Sequence, residues 1–174
     1  MKRVAIFGKP GSGKSTLSQK LAAQTGIPLH QLDNIMYQPN GTVIGRQAFD
    51  TAHEHIMAEE RWIIDGLGPI DAFFKRLEQA DTLIYIDLPY WLCYWLVTKR
   101  LIKTIFVHPD GWPEGCSVLK GTWKSYKTLK LCPKFWNDRF TASLDELSGQ
   151  RTVLTIRSLI DFNDLIHQRS SLYK

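Results

Sequence analysis

Cysteine is scarce in this sequence: three residues in 174, Cys93, Cys116 and Cys132, an odd number with no CxxC pair. That excludes a disulfide framework and a cysteine-based zinc site, and points to a reduced, intracellular, cytoplasmic protein. Long apolar runs are also missing. The longest, near position 90, is broken by Lys99 and Arg100. It is too short and too flanked by charge for a membrane span, so no membrane partner is expected. Met1-Lys2-Arg3 leads straight into a strand-like run, unlike a secretory leader. Internal repeats and low-complexity tracts are absent, and 44% hydrophobic with 22% charged residues excludes general disorder. No Ser/His/Asp or Cys/His arrangement stands out. His53 and His55, two apart on a helix, face away from each other, which argues against a metal pair. The length suits one domain over residues 1–174 and sets no oligomeric state.

What is present is an uneven distribution of charge. Residues 90–140 hold nine Lys and Arg against three Asp and Glu, a local excess of +6 within a net charge of +5. The same stretch holds five of the six tryptophans. That third of the chain calls for an anionic companion, either small phosphates or a nucleic acid.

Apolar patterning predicts alternating strands and helices. Arg3 to Gly8 reads as a buried strand, Lys14 to about Gln24 as a helix, and Pro28 to Asp33 as a second strand. A turn-rich loop at 37–41 precedes a helix over 46–60 and a third strand, Arg61 to Gly66. A short helix over Pro69 to Gln79 leads to the strongest strand signal, Thr82 to Asp87. A long aromatic helix, Tyr90 to Lys103, comes next, with most of its aromatic residues expected in core packing. Residues 106–133 read as irregular, rich in Pro, Gly and Trp. A helix over Lys134 to Leu147, a fifth strand Arg151 to Ile156 and a closing helix Ile160 to Gln168 complete the chain. This alternation predicts a doubly wound α/β fold with a parallel sheet, interrupted by an insertion.

Gly8-Lys9-Pro10-Gly11-Ser12-Gly13-Lys14-Ser15 satisfies GxxxxGK[ST], with an apolar strand before it and a helix after it. Gly11 and Gly13 let successive backbone N–H groups point at a phosphate, and the helix adds its positive dipole end. Lys14 can reach the β- and γ-phosphates, the Ser15 hydroxyl can ligate Mg²⁺, and Thr16 is placed for the α-phosphate. ATP and Mg²⁺ are the cofactors this motif calls for.

The sequence resembles the small P-loop kinases related to adenylate kinase, and within them the DNA topology modulation protein (FlaR-related) family. The residues that carry this are the P-loop, His30 to Asn34 leading to Pro39, Arg61 to Gly66, Ile86 to Cys93, and Glu114-Gly115-Cys116. The resemblance implies a P-loop three-layer sandwich with a five-stranded parallel sheet in the order 2-3-1-4-5, an acceptor-side helical region and a mobile lid at about 104–133. It implies γ-phosphoryl transfer to a small acceptor, which could be a nucleotide or nucleoside. In such a fold Asp65 lies beside the P-loop as a Walker-B-like acid for Mg²⁺; alternatively it caps a strand end. Asp33, at the carboxyl edge of the sheet, either positions and deprotonates an acceptor hydroxyl or caps a loop beside Asn34. Asp87 reads mainly as structural. One departure weakens a nucleoside monophosphate kinase reading. The arginine that follows the Asp-Gly of adenylate kinases is absent from Asp65-Gly66-Leu67-Gly68-Pro69-Ile70, and the nearest bases are Lys75 and Arg76.

By the same resemblance Arg100 would contact phosphate or adenine at the lid entrance, with Lys103 and Arg139 as weaker candidates; the bland reading is a cluster suited to a helix C-terminus. Lys120, Lys124, Lys127, Lys130 and Lys134 recur every three or four residues. They form a solvated face, part of a lid, or a nucleic-acid groove, in that order of preference. The alternative to a kinase is a nucleotide-switched regulatory or nucleic-acid-binding protein with little or no turnover.

Overall fold

A computed structural model describes residues 1–38, 42–103 and 118–172. Five strands form one parallel sheet: β1 (Arg3–Gly8), β2 (Leu29–Gln31), β3 (Trp62–Asp65), β4 (Thr82–Ile86) and β5 (Thr152–Ile156), in the order β2-β3-β1-β4-β5. Eight helices surround them: α1 (Lys14–Thr25), α2 (Leu32–Met36), α3 (Arg46–Met57), α4 (Ile70–Gln79), α5 (Tyr90–Lys103), α6 (Val118–Phe135), α7 (Asp138–Leu147) and α8 (Leu159–Leu172). Among the described residues, no helix is long and apolar enough to cross a membrane.

The sheet is covered on both faces, so its inner strands are buried at nearly every position rather than at alternate ones. Period-two geometry sorts them. Ala5, Phe7, Trp62, Ile64, Leu83 and Tyr85 face one core, against Phe49 of α3, Phe73 of α4 and Phe140 of α7. Val4, Ile6, Ile63, Ile84 and Ile86 face the other, against Leu17 and Leu21 of α1 and Cys93 and Val97 of α5. In the first core Phe7 stacks on Tyr85 at 5.6 Å and on Trp136 at 6.0 Å, with Phe73 edge-on at 5.2 Å. Each such pair adds roughly 0.5–1.5 kcal/mol beyond the area it buries.

Several elements differ from the sequence reading. The second strand stops at Gln31, and Asp33 lies in the first turn of α2 instead of ending a strand. Where irregular chain was expected, residues 118–133 belong to α6. The helix expected over Lys134 to Leu147 is two: α6 ends at Phe135, and Asn137 caps α7 by accepting the Phe140 N–H at 3.1 Å. Trp91 and Trp95, expected in the core, are exposed, whereas Tyr94 stacks on Tyr126 at 5.8 Å. Residues 104–117, the first half of the expected lid together with Trp112 and Cys116, lie outside the described residues. Cys93 and Cys132 are buried free thiols.

Candidate functional site

The P-loop joins the end of β1 to the start of α1, and two glycines make that turn possible. Gly8, at φ 147°, lies so close to β4 that a Cβ would sit 2.3 Å from the Ile86 carbonyl oxygen. Gly11, at φ 75°, leaves no room either, with the Cys93 carbonyl oxygen 2.8 Å from where its Cβ would be. The loop is thus pressed between β4 and α5. Helix α1 begins after Gly13 with no side-chain cap, which leaves its first N–H groups directed at the loop.

Two side chains of the loop are held in different ways. Lys9 is buried, with its ammonium paired to Asp87 and donating to the Leu88 carbonyl at 3.0 Å, above the Tyr90 ring. Asp87 also accepts from the Tyr85 hydroxyl at 3.0 Å. The structural reading of Asp87 is therefore specific: it ties the loop to the end of β4. Lys14 instead donates to the Lys9 carbonyl at 2.9 Å, within the loop.

Asp65 ends β3 beside Ile6 of β1 and is almost fully buried. Its Oδ2 accepts from the Ser18 hydroxyl at 3.3 Å, and its buried Oδ1 has no hydrogen-bond partner. Burial raises its pKa above the usual carboxylate range, and Asp33 adds to this; Lys14, the nearby Ser15 hydroxyl and the hydrogen bond from Ser18 oppose it. Arg100 is pulled down by burial and held up by Asp33, and its guanidinium donates to the Ser125 hydroxyl of α6 at 3.4 Å. Lys14, Asp33, Asp65 and Arg100 therefore share one electrostatic field: Lys14 and Asp33 both act on Asp65, and Asp33 acts on Arg100. Asp33 itself is exposed.

The residues fit a nucleotide and a divalent cation. An unpartnered buried carboxylate oxygen, the Ser15 hydroxyl and an uncapped helix start are groups of the kind that a magnesium ion and a phosphate need. Thr16, in the first turn of α1, is exposed.

The roles of four residues escaped the sequence reading. Ser18 follows Ser15 by three positions, which puts both on one face of α1 toward Asp65; that spacing was a usable signal. Arg76 is 1% exposed. It donates to the Gly66 carbonyl at 3.1 Å and to the Leu67 carbonyl, bracing from behind the loop that follows Asp65. His53 stands at 3.3 Å from Arg76, stacked on Phe49. Burial and the Arg76 charge lower its pKa to about 4, so its ring is neutral and accepts from the guanidinium. The fourth is Lys124, which reaches from α6 to the Tyr37 hydroxyl and ring, linking α6 to the chain after α2. On that side, Met36, Val43, Ile44, Arg46, Phe49 and Pro69 line a cavity of about 180 Å³. A larger hollow of about 350 Å³, between α4 and α7, lies at the amino ends of the strands, away from the P-loop.

Comparison with known proteins is consistent with this layout. A gluconokinase from Sinorhizobium meliloti 1021 superposes with a TM-score of 0.52 at 12% identity, covering 99% of this chain and 93% of that one. The fold is that of the P-loop kinases. No family model matches the chain and no curated protein matches it. The resemblance to DNA topology modulation proteins thus rests on its motifs alone. In this P-loop kinase fold the carboxyl ends of β1, β3 and β4 bring Gly8, Asp65 and Asp87 to one edge, where open α/β sheets bind ligands.

Proposed function

We propose that this protein is an ATP- and Mg²⁺-dependent phosphotransferase that moves the γ-phosphoryl group to a small hydroxyl-bearing acceptor. The observation that carries this reading is Asp65: buried at the P-loop, with one unpartnered oxygen, in the field of Lys14 and Asp33. In this reading Gly8 to Thr16 cradle the phosphates, Ser15 and Asp65 hold the cation, and Lys14 leaves the Lys9 carbonyl to reach the β- and γ-phosphates. A bound Mg²⁺ would supply charge neutralisation on the transferring group, and its charge would favour the ionised form of Asp65.

Asp33 orients the acceptor hydroxyl and takes its proton, and Arg100 neutralises phosphate charge from the α5–α6 side. The acceptor enters on the side of α2 and α3, near the cavity beside Met36 and Phe49. Arg46 at that cavity is already paired with Asp50 at 2.8 Å and with Asp71. With Arg76 also committed to carbonyls, the described residues offer no spare arginine there for an acceptor phosphate. A neutral polyol or nucleoside suits the site better than a nucleoside monophosphate. Placement in the adenylate-kinase-related group rests on the motifs quoted above.

The test is ADP formation from Mg-ATP, screened across polyols, nucleosides and nucleotides. Lys14→Ala should abolish turnover, and Asp33→Asn should lower kcat by 10²-fold or more, an order of magnitude typical of losing a general base. Unchanged nucleotide affinity together with unchanged turnover in Lys14→Ala overturns the proposal.

A further inference from the structure

Helices α5 and α6 carry Lys and Arg but no Asp or Glu. They pack along a seam made by Tyr94 and Thr98 on one and Tyr126 on the other, where the Thr98 and Tyr126 hydroxyls lie 2.7 Å apart. Beneath the seam Cys93, Val97, Leu129 and Cys132 are buried. On its outer side, helical spacing lines up Trp91, Trp95, Lys99 and Ile102 along α5. The same spacing lines up Leu119, Trp123, Lys127, Lys130 and Lys134 along α6. These apolar side chains are not core: Trp91 is 70% exposed, Trp95 56% and Trp123 62%, and Ile102 and Leu119 are more than half exposed. Lys127 lies over the Trp123 ring at 5.7 Å. Exposed indoles beside aliphatic residues on a monomer's surface mark an interaction site.

We infer that this face is a docking surface for an anionic lipid bilayer, which the protein meets peripherally through the α5–α6 pair. Charge complementarity names the partner: among the described residues α5 and α6 bring no carboxylate to this face, and its lysines match acidic headgroups. Three details favour lipid over nucleic acid. The exposed cations on this face are lysines, which snorkel from apolar surface, whereas Arg100 turns inward to Ser125. Ile102 and Leu119 give acyl chains something to bury against and give nucleobases nothing to stack on. The indoles have the amphipathic form of interfacial anchors. The lack of a spanning helix does not bear on this, because a surface helix inserts only its apolar face. The inference is independent of the catalytic reading, since none of these side chains belongs to the P-loop or to the cluster around Asp65.

Flotation with phosphatidylcholine vesicles, with and without phosphatidylserine, tests it with the full chain. Binding should rise at least about tenfold with phosphatidylserine, fall as salt is raised, and shift tryptophan emission to the blue. The triple variant Trp91→Ser/Trp95→Ser/Trp123→Ser should lose the emission shift and most binding. Lys99→Glu/Lys127→Glu/Lys130→Glu should lose the dependence on phosphatidylserine. Both should keep the wild-type melting temperature, because these positions are exposed. Absence of vesicle binding, or equal binding to both vesicle types, overturns the inference. So does concentration-dependent dimerisation abolished by the tryptophan variant, which would make the face a contact between copies. Tighter binding to single-stranded RNA than to acidic vesicles, lost in the same variants, assigns the face to nucleic acid and overturns it as well.

Discussion

At the scale of single residues, Asp65 serves the ligand at the expense of the empty protein. Its pKa is raised in the folded state, chiefly by burial, so the folded chain holds this proton more tightly than the unfolded chain does. Such a group favours folding below the unfolded pKa, and that contribution is lost as pH rises through the folded value. At neutral pH Asp65→Asn should therefore raise the denaturation midpoint of the nucleotide-free protein while abolishing Mg²⁺-dependent nucleotide binding. A lowered midpoint at pH 7 would show that the ionised carboxylate is stabilising in the empty state. Asp87 predicts the opposite outcome. Removing its charge leaves the buried Lys9 ammonium with carbonyl and ring contacts but no counter-charge. Asp87→Asn should cost about 3 kcal/mol in urea denaturation, in the range for breaking a buried pair from one side.

Among the elements, the α3–α4 contact carries a pH dependence of its own. His53 of α3 accepts from Arg76 of α4, and its pKa falls to about 4 in the fold. The unfolded ring takes up a proton below about pH 6.5, where the folded ring does not. Stability should fall by about 2 kcal/mol between pH 6.5 and 5. His53→Gln, which keeps an acceptor for Arg76, should flatten that slope in denaturant titrations at several pH values. How far each element could be read in advance follows from where its signal came from. Strand β4 was plain because five apolar or β-branched residues are bounded by acids, and the P-loop because its spacing is fixed by phosphate geometry. Helix α6 was hidden. Gly121 and Pro133 argue against a helix, and Leu119, Trp123 and Leu131 are exposed, so apolar residues do not trace one buried stripe. Only the lysine spacing carried its period. Arg76 was passed over because distance along the chain stood in for distance in space, although α4 folds back under the loop it braces.

For the whole molecule, the concentration of positive charge in residues 90–140 sets an expected response to ligand. Like charges on one side destabilise the empty state, and a triphosphate relieves them. We expect amide exchange in residues 118–133 to slow on adding an unhydrolysable ATP analogue with Mg²⁺, and Arg100→Ala to blunt that response without lowering the melting temperature. Equal protection with and without nucleotide would mark the segment as a static element rather than a lid. The strand order has a consequence for how the chain is made. β1 is the middle strand, and its neighbours are β3 and β4, so Val4 to Ile6 have no strand partner until Asp65 has left the ribosome, and their second side stays open until Ile86 follows. During synthesis the P-loop exists as sequence well before it exists as a shape. Nascent chains stalled before β3 should therefore recruit chaperones through this apolar segment, and release from them should coincide with the emergence of β4.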